Sequence, residues 1–126
     1  MRVIGRWVYV GLAFVFLLCI LGQFFLAGMA VFGGGQYWIN HKILVHLFGF
    51  NLPLLMMISA FAGKAKRSDY LSILVLFVLI FAMYATANLG FPHSYVGAFH
   101  PIIGILLIAF SSLSVYYSFT LALNKR

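Results

Sequence analysis

Residues 64–69 read Lys64-Ala65-Lys66-Arg67-Ser68-Asp69, and this short polar run decides the fold. It holds three of the eight Lys and Arg and the only acidic residue, set between two long apolar stretches. On its N-terminal side residues 41–63 are almost wholly apolar, and on its C-terminal side so are residues 70–89. Each is about the 20 residues that a membrane-crossing helix needs. Working outward, residues 7–32 form another such run, broken only by Gln23, and residues 100–123 a fourth. The remaining connections, residues 33–38 and 90–99, are short enough that consecutive helices must be antiparallel neighbours. The sequence therefore predicts an all-α fold: one domain over residues 1–126, a four-helix transmembrane up-down bundle.

Composition agrees. The chain is 65% hydrophobic and 7% charged, whereas soluble domains carry roughly a quarter charged residues. The net charge of +7 does not imply nucleic acid, because the cations end apolar runs instead of forming a basic face. Arg2, Arg6, Lys64, Lys66, Arg67, Lys125 and Arg126 fall on one side and only Lys42 on the other. The positive-inside bias then predicts cytoplasmic termini and a multi-pass protein of the bacterial inner membrane. Trp7 and Tyr9 suit an inner aromatic belt; Tyr37, Trp38 and Tyr95 suit an outer one. Gly28-Met29-Ala30 has the look of a cleavage site, but the run before it is longer than a signal core of about 7–15 residues. The first span is expected to be retained. Cys19, the only cysteine, reads as a small core hydrophobe, and Ser68-Asp69 as an N-cap followed by a favourable acid.

The candidate chemistry lies in four histidines on one side: His41, His46, His93 and His100. Ionisable or metal-binding groups are rare near a bilayer and point to function. His41 precedes Lys64 by 23 residues and His100 precedes Lys125 by 25, so at 1.5 Å per residue their depths agree within about 3 Å. Helices two and four of an up-down bundle are diagonal partners. Two imidazoles at equal depth across that diagonal suit axial ligation of one haem iron, a cofactor that bundle cores often hold. Asn40 before His41 and Pro101 after His100 place both rings near helix starts, where the dipole favours the neutral imidazole that a metal needs. Gly104, one turn beyond His100, offers either room for a flat porphyrin or close helix packing.

His46 competes with His41. It lies about 140° around the helix from His41, so the two cannot face one iron. It shares its face with Gly49, Pro53 and Ala60, an inward-looking stripe of small residues. By face His46 is the better ligand; by depth His41 is. His93, after Pro92 in a connection, reads as solvated. Gln23 must find a partner inside its span, either another helix or a ligand histidine. Tetrahedral zinc would need three or four convergent ligands, and with the one acid at the wrong end no Ser-His-Asp or paired-carboxylate catalysis can be assembled. Asn51, Asn88, Ser111, Ser112 and Ser114 read as helix glue.

Gln23-Phe24-Phe25-Leu26-Ala27-Gly28, Val31-Phe32-Gly33, His41-Lys42 with Gly49, and Phe99-His100-Pro101 together resemble an uncharacterised family of small four-span bacterial membrane proteins, a domain of unknown function. The resemblance covers nearly the whole chain and implies that the paired histidines are His41 and His100. The chain departs from it in the third span, where Tyr84-Ala85-Thr86-Ala87-Asn88 replaces a stretch that tends to carry glutamine. More distantly, histidines on helices two and four look like the haem modules of b-type cytochromes and haem A synthase halves, a likeness of architecture that implies haem b and transfers no activity. The expectation is one haem b near the outer face, held by His41 and His100 with His46, Gly104 and Gln23 beside it, for electron transfer or for redox or ligand sensing. The partners expected are the lipid bilayer, quinol or a membrane redox protein, and further copies of the chain. The rivals are a cofactor-free small membrane subunit or assembly factor, and a quinol-linked reductase.

Overall fold

Five helices follow one another: α1 (Arg2–Phe32), α2 (Tyr37–Phe48), α3 (Asn51–Ala62), α4 (Arg67–Leu89) and α5 (Ser94–Leu123). The structure is a computed structural model, and it describes residues 2–89 and 94–123. His93, Lys125 and Arg126 lie outside the described residues. α2 and α3 are two halves of one span, Tyr37–Ala62, so four segments are long and apolar enough to cross a membrane. The chain is an all-helical, multi-pass membrane protein. At 31 residues, α1 is about 46 Å long, so its ends pass beyond a hydrocarbon layer of about 30 Å.

Why the second span is in two parts is plain from its sequence. Pro53 has no N–H to offer the Gly49 carbonyl, and the helical assignment lapses at Gly49 and Phe50. Both residues keep right-handed dihedrals, so the chain continues in the same direction. The connections are equally economical. α1 ends as the amides of Gly33 and Gly34 both turn to Met29 O (2.7 and 3.0 Å); Gly34 then takes φ +138°, open to glycine alone. At the other end Lys64, at φ 51°, closes α3, and the amide of Ala65 returns to Ala60 O at 3.0 Å.

Two helix starts differ from expectation. α2 begins at Tyr37, not His41, and α5 at Ser94, not near His100. Asn40 caps nothing; the first amides of α2 bond to the carbonyls of Gly34, Gly35 and Gln36 (3.1–3.2 Å). Pro101 lies inside α5. Hydrocarbon leaves the backbone no water to bond, so the helix is carried through the proline and not ended before it. His41 and His100 therefore stand inside their helices, and the dipole argument for their neutral form falls away.

Packing follows a heptad. α1 buries Arg6, Tyr9, Ala13, Phe16, Ile20 and Gln23, and α5 buries Gly104, Leu107, Ser111, Ser114, Ser118 and Leu121, both at alternating steps of three and four. That spacing makes the seam of a left-handed bundle. α5 packs along α4 and α1, α1 also along α2 and α3, and α3 against α4. Among the described residues no Cα of α2 or α3 lies within 8 Å of α5, and none of α1 within 8 Å of α4, so these are the diagonals of a square. One corner is wider: among the described residues the backbones of α2 and α4 stay more than 8 Å apart, and His46 and Tyr84 reach across between them.

Candidate functional site

The wider corner becomes a cavity of about 630 Å³ walled by all four spans, a volume ordinary for a small-molecule site. His41 from α2 and His100 from α5 meet across it, their ring centres 6.5 Å apart and their planes at 55°. The expected diagonal pair is thus brought together. A metal–imidazole bond of about 2.0–2.1 Å plus about 1.1 Å from nitrogen to ring centre separates two axial rings by about 6 Å. The observed spacing matches that sum.

Hydrogen bonds fix what each ring offers. His41 Nδ1 lies 3.2 Å from Gln23 O on α1, and His100 Nδ1 lies 3.1 Å from Met83 O on α4. A carbonyl only accepts, so both rings are assigned a proton on Nδ1, and in the neutral ring the lone pair is then on Nε2. This is the outer-shell arrangement found behind metal-ligating histidines, where a backbone carbonyl sets tautomer and ring orientation. Thr86 adds to it: its hydroxyl donates to Ala82 O at 2.8 Å, leaving Oγ1 to accept from His100 Nδ1 at 3.1 Å. Trp38, one turn before His41, meets that ring edge-on at 5.6 Å and 85°.

Gln23 is 7% exposed and is tied to His41 twice, through its backbone carbonyl and through Nε2 donating to His41 O at 3.0 Å. The side-chain bond is thus an interhelical one, to the main chain of α2 at His41, while the ring is met by the Gln23 main chain. Its Oε1 is buried and unpaired among the described residues on a side chain that lines the cavity. That acceptor would welcome a donor from a ligand or a water.

His46 is placed differently from its face reading. Gly49, Pro53 and Ala60 are buried, but His46 is exposed, on the side where the backbones of α2 and α4 stay apart. It lines the cavity with Nδ1 3.0 Å from the Tyr84 hydroxyl, on the side of α4 and away from the His41–His100 pair's shared spacing. Gly104 is buried, and a Cβ there would stand 2.8 Å from the Phe24 ring. Its space seats Phe24, so close side-chain packing is the use the structure shows. The stretch at 84–88 supplies partners to two histidines, Tyr84 to His46 and Thr86 to His100, which the sequence reading did not assign. The available signal was two hydroxyls within an otherwise apolar span. Among the described residues no cluster of three or more His, Cys, Asp or Glu could hold a metal; two facing imidazoles are what the site contains.

These features define a class: a four-span membrane protein with a cavity at one end of its bundle, lined by three histidines of which two face each other. The chain belongs to the family of unknown function DUF6220, whose model matches residues 23–88, just over half the length. The match opens on Gln23 and takes in His41, His46, Tyr84 and Thr86, while His100 lies beyond it. No curated protein and no solved structure matches the chain.

Proposed function

We propose that the chain binds one haem b between α2 and α5, with Nε2 of His41 and of His100 as axial ligands, in the outer half of a bacterial cytoplasmic membrane. The observation that carries this reading is the pair itself: two rings 6.5 Å apart, each held at Nδ1 by a main-chain carbonyl, inside a cavity of about 630 Å³. When bound, the haem would supply one-electron exchange, with both axial positions filled by protein. The chain's own part is to present two imidazoles from facing helices and to exclude water with Ile20, Phe24, Phe48, Ile80 and Leu107. A lipid-soluble partner such as quinol would approach from the bilayer on the side of α2 and α4, past the His46–Tyr84 pair that joins them.

One such group at one end leaves most of a layer of about 30 Å unbridged, so the isolated chain exchanges electrons at its histidine end and does not conduct across. Absorption spectroscopy of the full chain, purified from haem-sufficient cells, tests the reading. A six-coordinate low-spin Soret spectrum is expected. His41→Ala and His100→Ala each abolish it, His46→Ala weakens it, and His93→Ala leaves it intact. A colourless protein that gains no Soret band on haem titration would instead be a cofactor-free membrane subunit. Loss of the band in His46→Ala, with His41→Ala unaffected, would move the ligand to His46.

A further inference from the structure

Five of the six described cations, Arg2, Arg6, Lys64, Lys66 and Arg67, stand at one end of the bundle, where Arg6 Nε bonds to Gly63 O at 3.0 Å. Lys42 alone stands at the other end, next to His41 in α2, and it lines the cavity. The only acidic side chain, Asp69, belongs to the first turn of α4 at the far end. No side chain of this protein can therefore neutralise Lys42. Lys42 is exposed, and a lysine at a membrane interface can lay its apolar stem along apolar neighbours while its ammonium stays at the headgroup level.

We infer that Lys42 receives a carboxylate of the bound ligand, one haem propionate, so that the cavity selects tetrapyrroles with free acid side chains and sets their acid edge toward the histidine end. This rests on the haem reading above. The same ammonium could be met by a lipid phosphate, and the two sources differ in what removes the effect. Esterifying the propionates abolishes a haem–Lys42 pair and leaves a lipid–Lys42 pair untouched. Asn88, whose side chain also lines the cavity, gives its Nδ2 to Tyr84 O at 2.8 Å and brings no charge to compete with Lys42.

The test is equilibrium titration of the full-length apoprotein in nanodiscs of zwitterionic lipid, followed at the Soret band, with haem b and with its dimethyl ester. Lys42→Gln should weaken haem b about fivefold, in the range of a partly exposed ion pair, and leave the affinity for the dimethyl ester unchanged. Lys42→Arg should keep wild-type affinity for both, and Lys64→Gln, at the opposite end, should alter neither. An equal loss for both haems, or no loss for either, overturns the inference while the haem reading stands. A Lys42→Gln effect that is equal for both haems and grows in anionic-lipid discs assigns the ammonium to lipid headgroups and overturns it too. A wild-type chain that binds neither haem overturns both readings together.

Discussion

The two ends of the bundle use polar side chains in opposite ways. At the Arg6 end they close the helices on one another. Arg6, 7% exposed, donates to Gly63 O and to Leu121 O (3.0 and 3.2 Å), the last carbonyls of α3 and α5, which a helix leaves without partners. Asp69, 1% exposed, stands in the first turn of α4 as expected and accepts the Lys66 amide at 3.0 Å, so that it does the capping expected of Ser68, which lies inside a helix that starts at Arg67. Ser72 and Ser114 bond to each other between α4 and α5. Gly5 lies so close to α3 that a Cβ would come within 2.7 Å of Gly63 N. At the histidine end the helices part, and Gln23, His41, His46, Tyr84 and His100 stand around a space. Polarity inside a membrane protein is therefore not by itself a mark of function. Lone pairs held toward a cavity, by groups that are themselves held, are the better mark. Among the described residues the Arg6 end keeps two unpaired atoms of its own, Tyr9 Oη and Asp69 Oδ1, and a smaller cavity of about 290 Å³ lined by Asp69, Tyr116 and Tyr117, but no pair of imidazoles faces across it.

If the division is right, the two ends can be broken separately. Arg6→Ala removes a charged donor from two helix ends and should cost about 3 kcal/mol. In detergent, melting scans at one fixed rate should show a fall of about 10 °C. The haem affinity of the protein that remains folded should stay at the wild-type value. His100→Ala should do the reverse, emptying the site while the melting temperature of the apoprotein moves little. A joint loss in both variants would show that the two ends are coupled.

The next largest effect belongs to Gln23→Ala. It deletes the bond to His41 O but spares the main-chain carbonyl that holds His41 Nδ1. Removing an outer-shell partner typically costs about tenfold in affinity, so a tenfold rise in the haem dissociation constant is expected with the six-coordinate spectrum retained. An unchanged constant would make Gln23 a helix tie like Arg6, and the comparison between the ends would lose its strongest member.

Much of this was legible in the sequence, and the parts that were not share a cause. Lys64 to Asp69 and the triple glycine at 33–35 punctuate the chain, so the four spans and their antiparallel order follow from charge and length. Depth from the charged ends brought His41 and His100 to one level, and the square packing put them on a diagonal. Faces were harder. In a bilayer both sides of a helix are apolar, so hydrophobic periodicity cannot tell core from lipid. Phe16 is buried while Phe14 and Phe25 are exposed, with nothing in the residue type to separate them. His46 shares a helix face with the buried Gly49 and Pro53 and is still exposed, since a shared face does not tell how closely the next helix approaches at each level. Asn40 and Pro101 misled because capping rules describe helices that end in water. Thr86 and Arg6 were read by type, as a span residue and a topology signal, when their partners lie on other helices.

Thr86→Val tests a smaller share of the same site. The Met83 carbonyl still accepts from His100 Nδ1, so one of two acceptors is lost and the ring keeps its tautomer. About a threefold weakening of haem binding is expected, in line with one neutral hydrogen bond. A loss as large as that of His100→Ala would mean that the hydroxyl, and not the carbonyl, orients the ring.

The smallest effect tests the closed end by its weakest tie. Ser72 and Ser114 are both buried and bond across α4 and α5, in the position where small residues let two helices approach closely. Hydrogen bonds between membrane helices average about 0.6 kcal/mol in double-mutant cycles, because an isolated serine can turn its hydroxyl back to its own helix. Ser111 does this, donating to Leu107 O at 2.5 Å, and so does Ser118 toward Val115 O at 2.9 Å. Ser72→Ala and Ser114→Ala should therefore each destabilise slightly, and the cycle should return about 0.6 kcal/mol of coupling, with no change in the haem spectrum of any variant. A coupling near zero would show that the two helices are held by the fit of their small side chains alone. A coupling of several kcal/mol, or any shift in the spectrum, would mean that the closed end transmits to the open one.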